Sequence, residues 1–305
     1  RDWSSDVCSS DLRVARGAGG GAAAEPPRAL TLFDRWENTV WQLDSQLRRL
    51  LNGHAEGSQL MALSRELINR VDHHQDVALY MVIRPSDPRF ALYALQHALH
   101  SATVGLMLAR QLQWDPVQQA RLVAAALTMN ISTLELQAQM AMQSTPPTTR
   151  QREQIRAHPL ESEALLRRAG VRDEAWLEAV REHHERPGGG GYPHGAQRIS
   201  DLAHALHTVD VFTAKISSRA IRDPLPIQIA ARQLFQEEHG GPMATGVIRS
   251  LGLYPPGDTV SLKSGEVAVV THRGASATTP RVATITNPAG VPEAETRARD
   301  TTEPD

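Results

Sequence analysis

The chain has 305 residues, enough for one large domain or two modest ones, and its 32 basic and 34 acidic residues nearly cancel to a net charge of -2. That balance argues against a general nucleic-acid surface or a basic membrane-binding patch. The single cysteine, Cys8, excludes an intrachain disulfide and a cysteine-based metal site, and no apolar run approaches the roughly 20 residues that span a bilayer.

No basic segment followed by an apolar core opens the chain, so the expected location is cytoplasmic. Residues 1–29 read as disordered, and within them 1–12 (RDWSSDVCSSDL) read as a scar foreign to the natural protein. A helical region is expected over 30–88. Phe33, Trp36, Val40, Leu43, Leu47 and Leu50 recur at three- and four-residue steps on one face. After the Gly53 to Gly57 break, Ser58 is the expected cap of a second helix carrying Leu60, Leu63, Leu67 and Val71. Neither helix has catalytic spacing, which leaves packing or dimerisation as their use. Pro85 and Pro88 mark the entry to the next helical stretch.

Residues 89–253 read as helical throughout. One helix is expected from about 90 to 113, and the next opens at Asp115-Pro116 and runs through 127. Thr148 with Gln151 forms a capping box for a helix through 168. Further helices are expected near 173–185, 200–219, 225–238 and 242–251. Beyond Tyr254-Pro255-Pro256-Gly257 the period changes, and 254–288 read as a small β appendage with strands at 259–262, 266–271 and 281–285. The remainder, 289–305, is polar and rich in Pro and Thr, so disorder is expected there.

The string His183-His184-Glu185-Arg186-Pro187-Gly188-Gly189-Gly190-Gly191-Tyr192-Pro193 carries the most information. Both histidines follow Val180 by helical steps toward the packed side. Taken alone, the string reads equally as a helix end with solvated histidines and a loose loop. Asp210 changes the balance: it shares an apolar stripe with Ala203, Leu206 and Ala214, and a carboxylate there needs a cation or imidazole partner. His158, before Pro159 at the start of a turn, and His97, early in a long helix, complete a His/Asp set spread over four helices. Such a set is what a metal site in a helical bundle requires.

In these residues the chain resembles the HD-GYP family of the HD metal-phosphohydrolase superfamily. The resemblance rests on His97, His158-Pro159, His183-His184-Glu185, Gly191-Tyr192-Pro193 and Val209-Asp210-Val211-Phe212 with Ala214 and Arg219, in the family's order and spacing. It implies a mainly α fold, an HD-type helical bundle with an N-terminal helical region and a small C-terminal β appendage. It also implies a metal-dependent phosphodiesterase of bacterial cyclic di-GMP signalling. The family's HDIGK-like string falls on residues 125–133, where Met129 stands at the dyad His, Asn130 at the dyad Asp and Thr133 at the phosphate-contacting Lys. Gly188 stands where the family has Asp.

On this resemblance one metal position keeps only His97 and Asp210. The other keeps His158, His183 and His184, while Gly191, Tyr192, Pro193 and Arg219 fall on the ligand side. A neutral Asn130 bridges metals poorly and a Met129 thioether suits hard divalent ions badly. Three functional readings are compatible with this pattern. A degenerate binding or regulatory module with little hydrolysis is preferred. A single-metal phosphodiesterase using the three histidines and a helical scaffold for protein association are the alternatives. The cofactor is one divalent transition metal (Fe, Mn or Zn) or none. The partner is cyclic di-GMP or a signalling protein, with homodimerisation through the N-terminal helices open, and with no nucleic-acid polymer or membrane expected.

Overall fold

A computed structural model of the chain describes residues 29–302 apart from 55, 85–89 and 277. The scar, Cys8, the expected disorder of 1–28, the Pro85 and Pro88 break and residues 303–305 lie outside the described residues. Among the described residues no helix is long and apolar enough to cross a membrane.

The first helix, α1 (Leu32–Leu51), opens on a capping box: the Thr31 hydroxyl accepts the Asp34 N–H and the Asp34 carboxylate accepts the Thr31 N–H. Its stripe of Trp36, Val40, Leu43, Leu47 and Leu50 is buried. The second, α2 (Gly57–His73), starts at Glu56 and not at Ser58, so the expected cap is corrected. Ser58 lies inside the first turn, with its hydroxyl on the Glu56 carboxylate. Gly57 is required there, because a Cβ would meet Val171 Cγ2 at 2.5 Å.

A third helix, α3 (Gln75–Ile83), has no counterpart among the expected elements. Its residues 77–83 are almost continuously apolar, so there is no helical period to read, and Ala78, Leu79, Met81 and Val82 are buried. After a single 3-10 turn, α4 (Tyr93–Gln111) forms the central element, buried along most of its length. It packs against α5 (Pro116–Thr128), which Asp115 caps with Pro116 in its first turn as expected, and Gln118 completes a capping box there. A turn at Ile131–Thr133 and the short α6 (Leu134–Met142) lead to α7 (Thr149–Arg168), opened by the Thr148–Gln151 capping box. Then come α8 (Glu174–Glu182), α9 (Asp201–Lys215), α10 (Ile227–Glu237) and α11 (Pro242–Leu251).

One apolar core runs from Trp36 in α1 to Leu251 in α11, so the N-terminal helices share it with the rest of the bundle. The α1 and α2 stripes that the sequence offers for packing or dimerisation are spent inside the chain, while Phe33, Trp41 and Leu51 stay exposed.

The appendage is an antiparallel sheet of β1 (Thr259–Ser261), β2 (Val267–His272), β3 (Arg281–Thr284) and β4 (Ala298–Asp300), paired in that order. Thr259 faces Val269, Ala268 faces Thr284 and Val282 faces Arg299. The last strand is a correction, since 289–305 were expected to be disordered. Composition misled there: β3 leaves an open edge for 298–300, and Arg299 reaches the buried Glu266 carboxylate at 3.3 Å. Arg273 fastens the sheet to α3, donating to Asp76 at 2.7 Å and Gln75 at 2.6 Å.

Gly257 closes this joint with φ +94°, and a Cβ on it would meet Arg84 N and Tyr80 O at 2.8 Å. We expect Gly257→Ala to cost about 1–3 kcal/mol through strain at positive φ. Hydrogen exchange of β1 and β2 should accelerate while exchange of α4 and α5 stays unchanged.

Candidate metal centre and ligand cavity

The site is assembled by two carbonyls that the backbone leaves open. Pro159 lies inside α7, not at the start of a turn as expected, and so the reading of His158-Pro159 is corrected. Proline has no N–H, which frees the Ile155 carbonyl from its helical bond. His158 Nδ1 sits on that carbonyl at 2.5 Å. At the end of α8, the Val180 carbonyl is one of the last-turn acceptors without a helical donor, and His183 Nδ1 sits on it at 2.6 Å. Each ring thus carries its proton on Nδ1 and presents a bare Nε2. The two Nε2 atoms are 3.0 Å apart. Two lone pairs at that distance repel, and a cation between them removes the repulsion.

His184 joins them. Its ring centroid lies 4.2 Å from His183 and 5.0 Å from His158. One ligand atom from each of the three histidines falls within 4.8 Å of the others. His97 and Asp210 are brought close but differently: His97 Nε2 and Asp210 Oδ1 are 2.7 Å apart, so these two bond to each other. Asp210 Oδ2 lies 4.0 Å from His184 Nδ1.

Beside these groups is a cavity of about 360 Å3. His97, His158, His184, Asp210 and Asn130 line one part of its wall, and Tyr93, Lys215, Arg219 and Arg222 line another. His183 is wholly buried and does not line it.

A scan against family models matches the HD domain over residues 78–240, more than half of the chain. The chain belongs to the HD domain family. It is 29% identical over 225 residues to the cyclic di-GMP phosphodiesterase PA4108 of Pseudomonas aeruginosa, covering 71% of this chain and 53% of that one. The chain thus spans about half the length of that curated relative. Among solved structures it resembles Bd1817, a HDG"Y"P protein from Bdellovibrio bacteriovorus, with a TM-score of 0.57 at 14% identity over 72% of each chain. That likeness is one of fold.

The four positions at which the resemblance leads one to expect replacements have distinct surroundings. Met129 is fully buried in the apolar core and does not line the cavity. Asn130 does line it. The Thr133 hydroxyl is turned back onto the Asn130 carbonyl at 3.2 Å. Gly188 is exposed with φ +86° and bonds to the Gln197 carbonyl, away from the cavity wall. Gly191 has a strict steric reason: a Cβ would lie 2.5 Å from Glu185 Cα and from the His184 carbonyl oxygen. Tyr192 then stacks on His184 at 4.6 Å and takes the guanidinium of Arg156 over its ring at 5.7 Å. Pro193 follows it through a cis peptide bond.

Several contributors are given no role by the sequence reading. Glu185 is fully buried, and its carboxylate accepts the N–H groups of His194, Gly195 and Ala196 at 2.6, 3.0 and 3.0 Å. It folds the glycine-rich loop back over the histidines. Its place directly after the two histidines is the available signal. His207, three residues before Asp210 on α9, donates toward the His183 carbonyl at 2.8 Å. Tyr93 stacks on His97 at 5.7 Å and its hydroxyl accepts from Arg219.

Burial holds the imidazoles of His158, His183 and His184 below their ordinary value, His184 down to about 3. For Asp210, burial is the largest single effect and raises its carboxyl, but the bond from His97 together with the charges of His97, His184 and His183 outweighs it and holds the group well below the carboxylate range.

Two outcomes are expected. Glu185→Ala strands three backbone donors and should destabilise the fold by at least about 3 kcal/mol in denaturant titration. The buried imidazoles bind fewer protons folded than unfolded, so their contribution is present above about pH 6.5 and is lost as pH falls toward the depressed folded values. From pH 7 to pH 5 the metal-free protein should lose stability, by roughly 1 kcal/mol per pH unit for each imidazole that remains neutral. A flat profile across that window would contradict the role given to burial.

Proposed function

We propose that this HD domain is a cyclic di-GMP signalling module of the HD-GYP type that binds its ligand and hydrolyses it little. The observation that carries the reading is an asymmetry in the site. On one side His158, His183 and His184 converge with bare nitrogens facing each other. On the other, Met129 is buried in the core, Asn130 is neutral, and His97 and Asp210 satisfy each other. A paired clamp of two ions needs a bridging carboxylate and a full ligand set on each side, and this second half keeps only His97 and Asp210.

The donor set of the first half suits one divalent transition metal, Fe, Mn or Zn, held by His158, His183 and His184. Such an ion supplies Lewis-acid polarisation of a phosphoryl oxygen when bound. The protein's own residues do the rest. Ile155 and Val180 fix the imidazole tautomers, Glu185 and Gly191 hold the loop that lays Tyr192 on His184, and Tyr93 orients Arg219 at the cavity wall. The name of the Pseudomonas relative supports cyclic di-GMP as the ligand.

A single-metal phosphodiesterase is the second reading, favoured by the three imidazoles themselves, since three protein ligands with an open fourth position can be a catalytic arrangement. The test is hydrolysis of cyclic di-GMP by metal-free protein given Mn, Fe or Zn in turn, alongside calorimetric binding of the intact dinucleotide. We expect binding, with turnover no faster than that of His183→Ala. Metal-dependent hydrolysis that His183→Ala abolishes would overturn the proposal in favour of the enzyme. Failure to bind the dinucleotide under any metal would leave the scaffold reading.

A further inference from the structure

The cavity wall carries more positive charge than the metal centre uses. Lys215, Arg219 and Arg222 all line it, and they come from the last turn of α9 and the segment after it. The only carboxylate among the described residues of that wall, Asp210, is already paired with His97. The three cations are committed to different degrees. Arg222 donates to the Ala214 carbonyl at 2.6 Å. Arg219 donates to the Tyr93 hydroxyl, yet its Nε is buried with no hydrogen-bond partner. A buried guanidinium N–H left open is costly, and an anion in the cavity is its natural acceptor.

Lys215 is tied to a different helix. Its Nζ donates to Gln233 at 3.0 Å and Glu237 at 2.9 Å, both on α10. The Glu237 side chain is 52% exposed, so water screens the pair and little is lost when it opens. A phosphate oxygen inside the cavity offers a charge-assisted bond in drier surroundings. From this arrangement we infer that Lys215 is an anion-binding side chain of the cavity, held in reserve by Glu237 and Gln233 until a phosphate-bearing ligand supplies its oxygens. Arg219, which the resemblance already puts on the ligand side, turns its unpartnered Nε to the same anion. The inference rests on the cyclic di-GMP reading only for the identity of the ligand, because the wall's charge calls for a phosphate anion of any kind.

Wild type, Lys215→Gln and Glu237→Gln should be titrated calorimetrically with cyclic di-GMP and, separately, with inorganic pyrophosphate. Lys215→Gln should weaken both about tenfold, the loss of one charge-assisted bond. Glu237→Gln should strengthen both several-fold, because it frees the ammonium. The two variants break the same link between α9 and α10 with opposite effects on affinity, which separates lost charge from lost packing. Equal affinities in all three proteins overturn the Lys215 assignment and leave the dinucleotide reading standing. Pyrophosphate bound in a Lys215-dependent way, with cyclic di-GMP refused, sinks the dinucleotide reading and keeps the Lys215 site. Binding of neither anion overturns both.

Discussion

His158 and His183 turn their unprotonated nitrogens toward each other across 3.0 Å. In water neither ring would hold that orientation, because two lone pairs repel and each would sooner find a donor. Here the rings have no choice, since each spends its one N–H on a backbone carbonyl and both are buried. Burial also closes the usual escape, protonation of one ring, by holding both below the ordinary imidazole value. The fold therefore stores an unmet demand for positive charge at this point, and the surrounding groups can be understood as arranged about it.

Each part of that arrangement traces to a local feature of the chain. A proline in the interior of α7 removes the N–H that would otherwise claim the Ile155 carbonyl. The end of α8 exposes Val180 in the same way. Glu185 draws three N–H groups of the following loop inward, and the missing side chain at Gly191 lets that loop pass within contact of the histidine backbone. Opposite, α9 brings Asp210 to His97, and these two neutralise each other's need. The centre is lopsided: three imidazoles on one side, with Asp210 Oδ2 4.0 Å from His184 as their nearest carboxylate oxygen, and the His97–Asp210 pair with a neutral Asn130 on the other. On the proposed reading, such a centre holds one ion and an anionic ligand and does not drive a two-ion displacement.

Much of this is legible in the residues alone. The Asp115-Pro116 start and the Thr148–Gln151 capping box mark two helix starts correctly because their donors and acceptors are close in sequence. The paired histidines, His158, His97 and Asp210 share spacing that brings them to one region. What stays hidden depends on tertiary context. Helix α3 is buried on more than one side and so has no apolar period. The local reading of His158-Pro159 as a turn fails, because α7 runs unbroken through Pro159 to Arg168, as its capping box alone implies. Residues 298–300 have the composition of a loose tail, yet an open strand edge and the Glu266 carboxylate recruit them. Nor can spacing reveal that His97 and Asp210 bond to each other, or that Lys215 lines the same cavity.

We propose that this HD domain holds a single ion, bound by three imidazoles. X-ray absorption at the metal K edge, on protein loaded with zinc and then with manganese, tests it most directly. We predict a first shell containing three nitrogen scatterers at about 2.0–2.1 Å for zinc, lost in His183→Ala, with no metal scatterer beyond it. A metal–metal vector near roughly 3.5–4 Å would contradict the claim, because that distance requires the second position that Met129, Asn130 and the His97–Asp210 pair close.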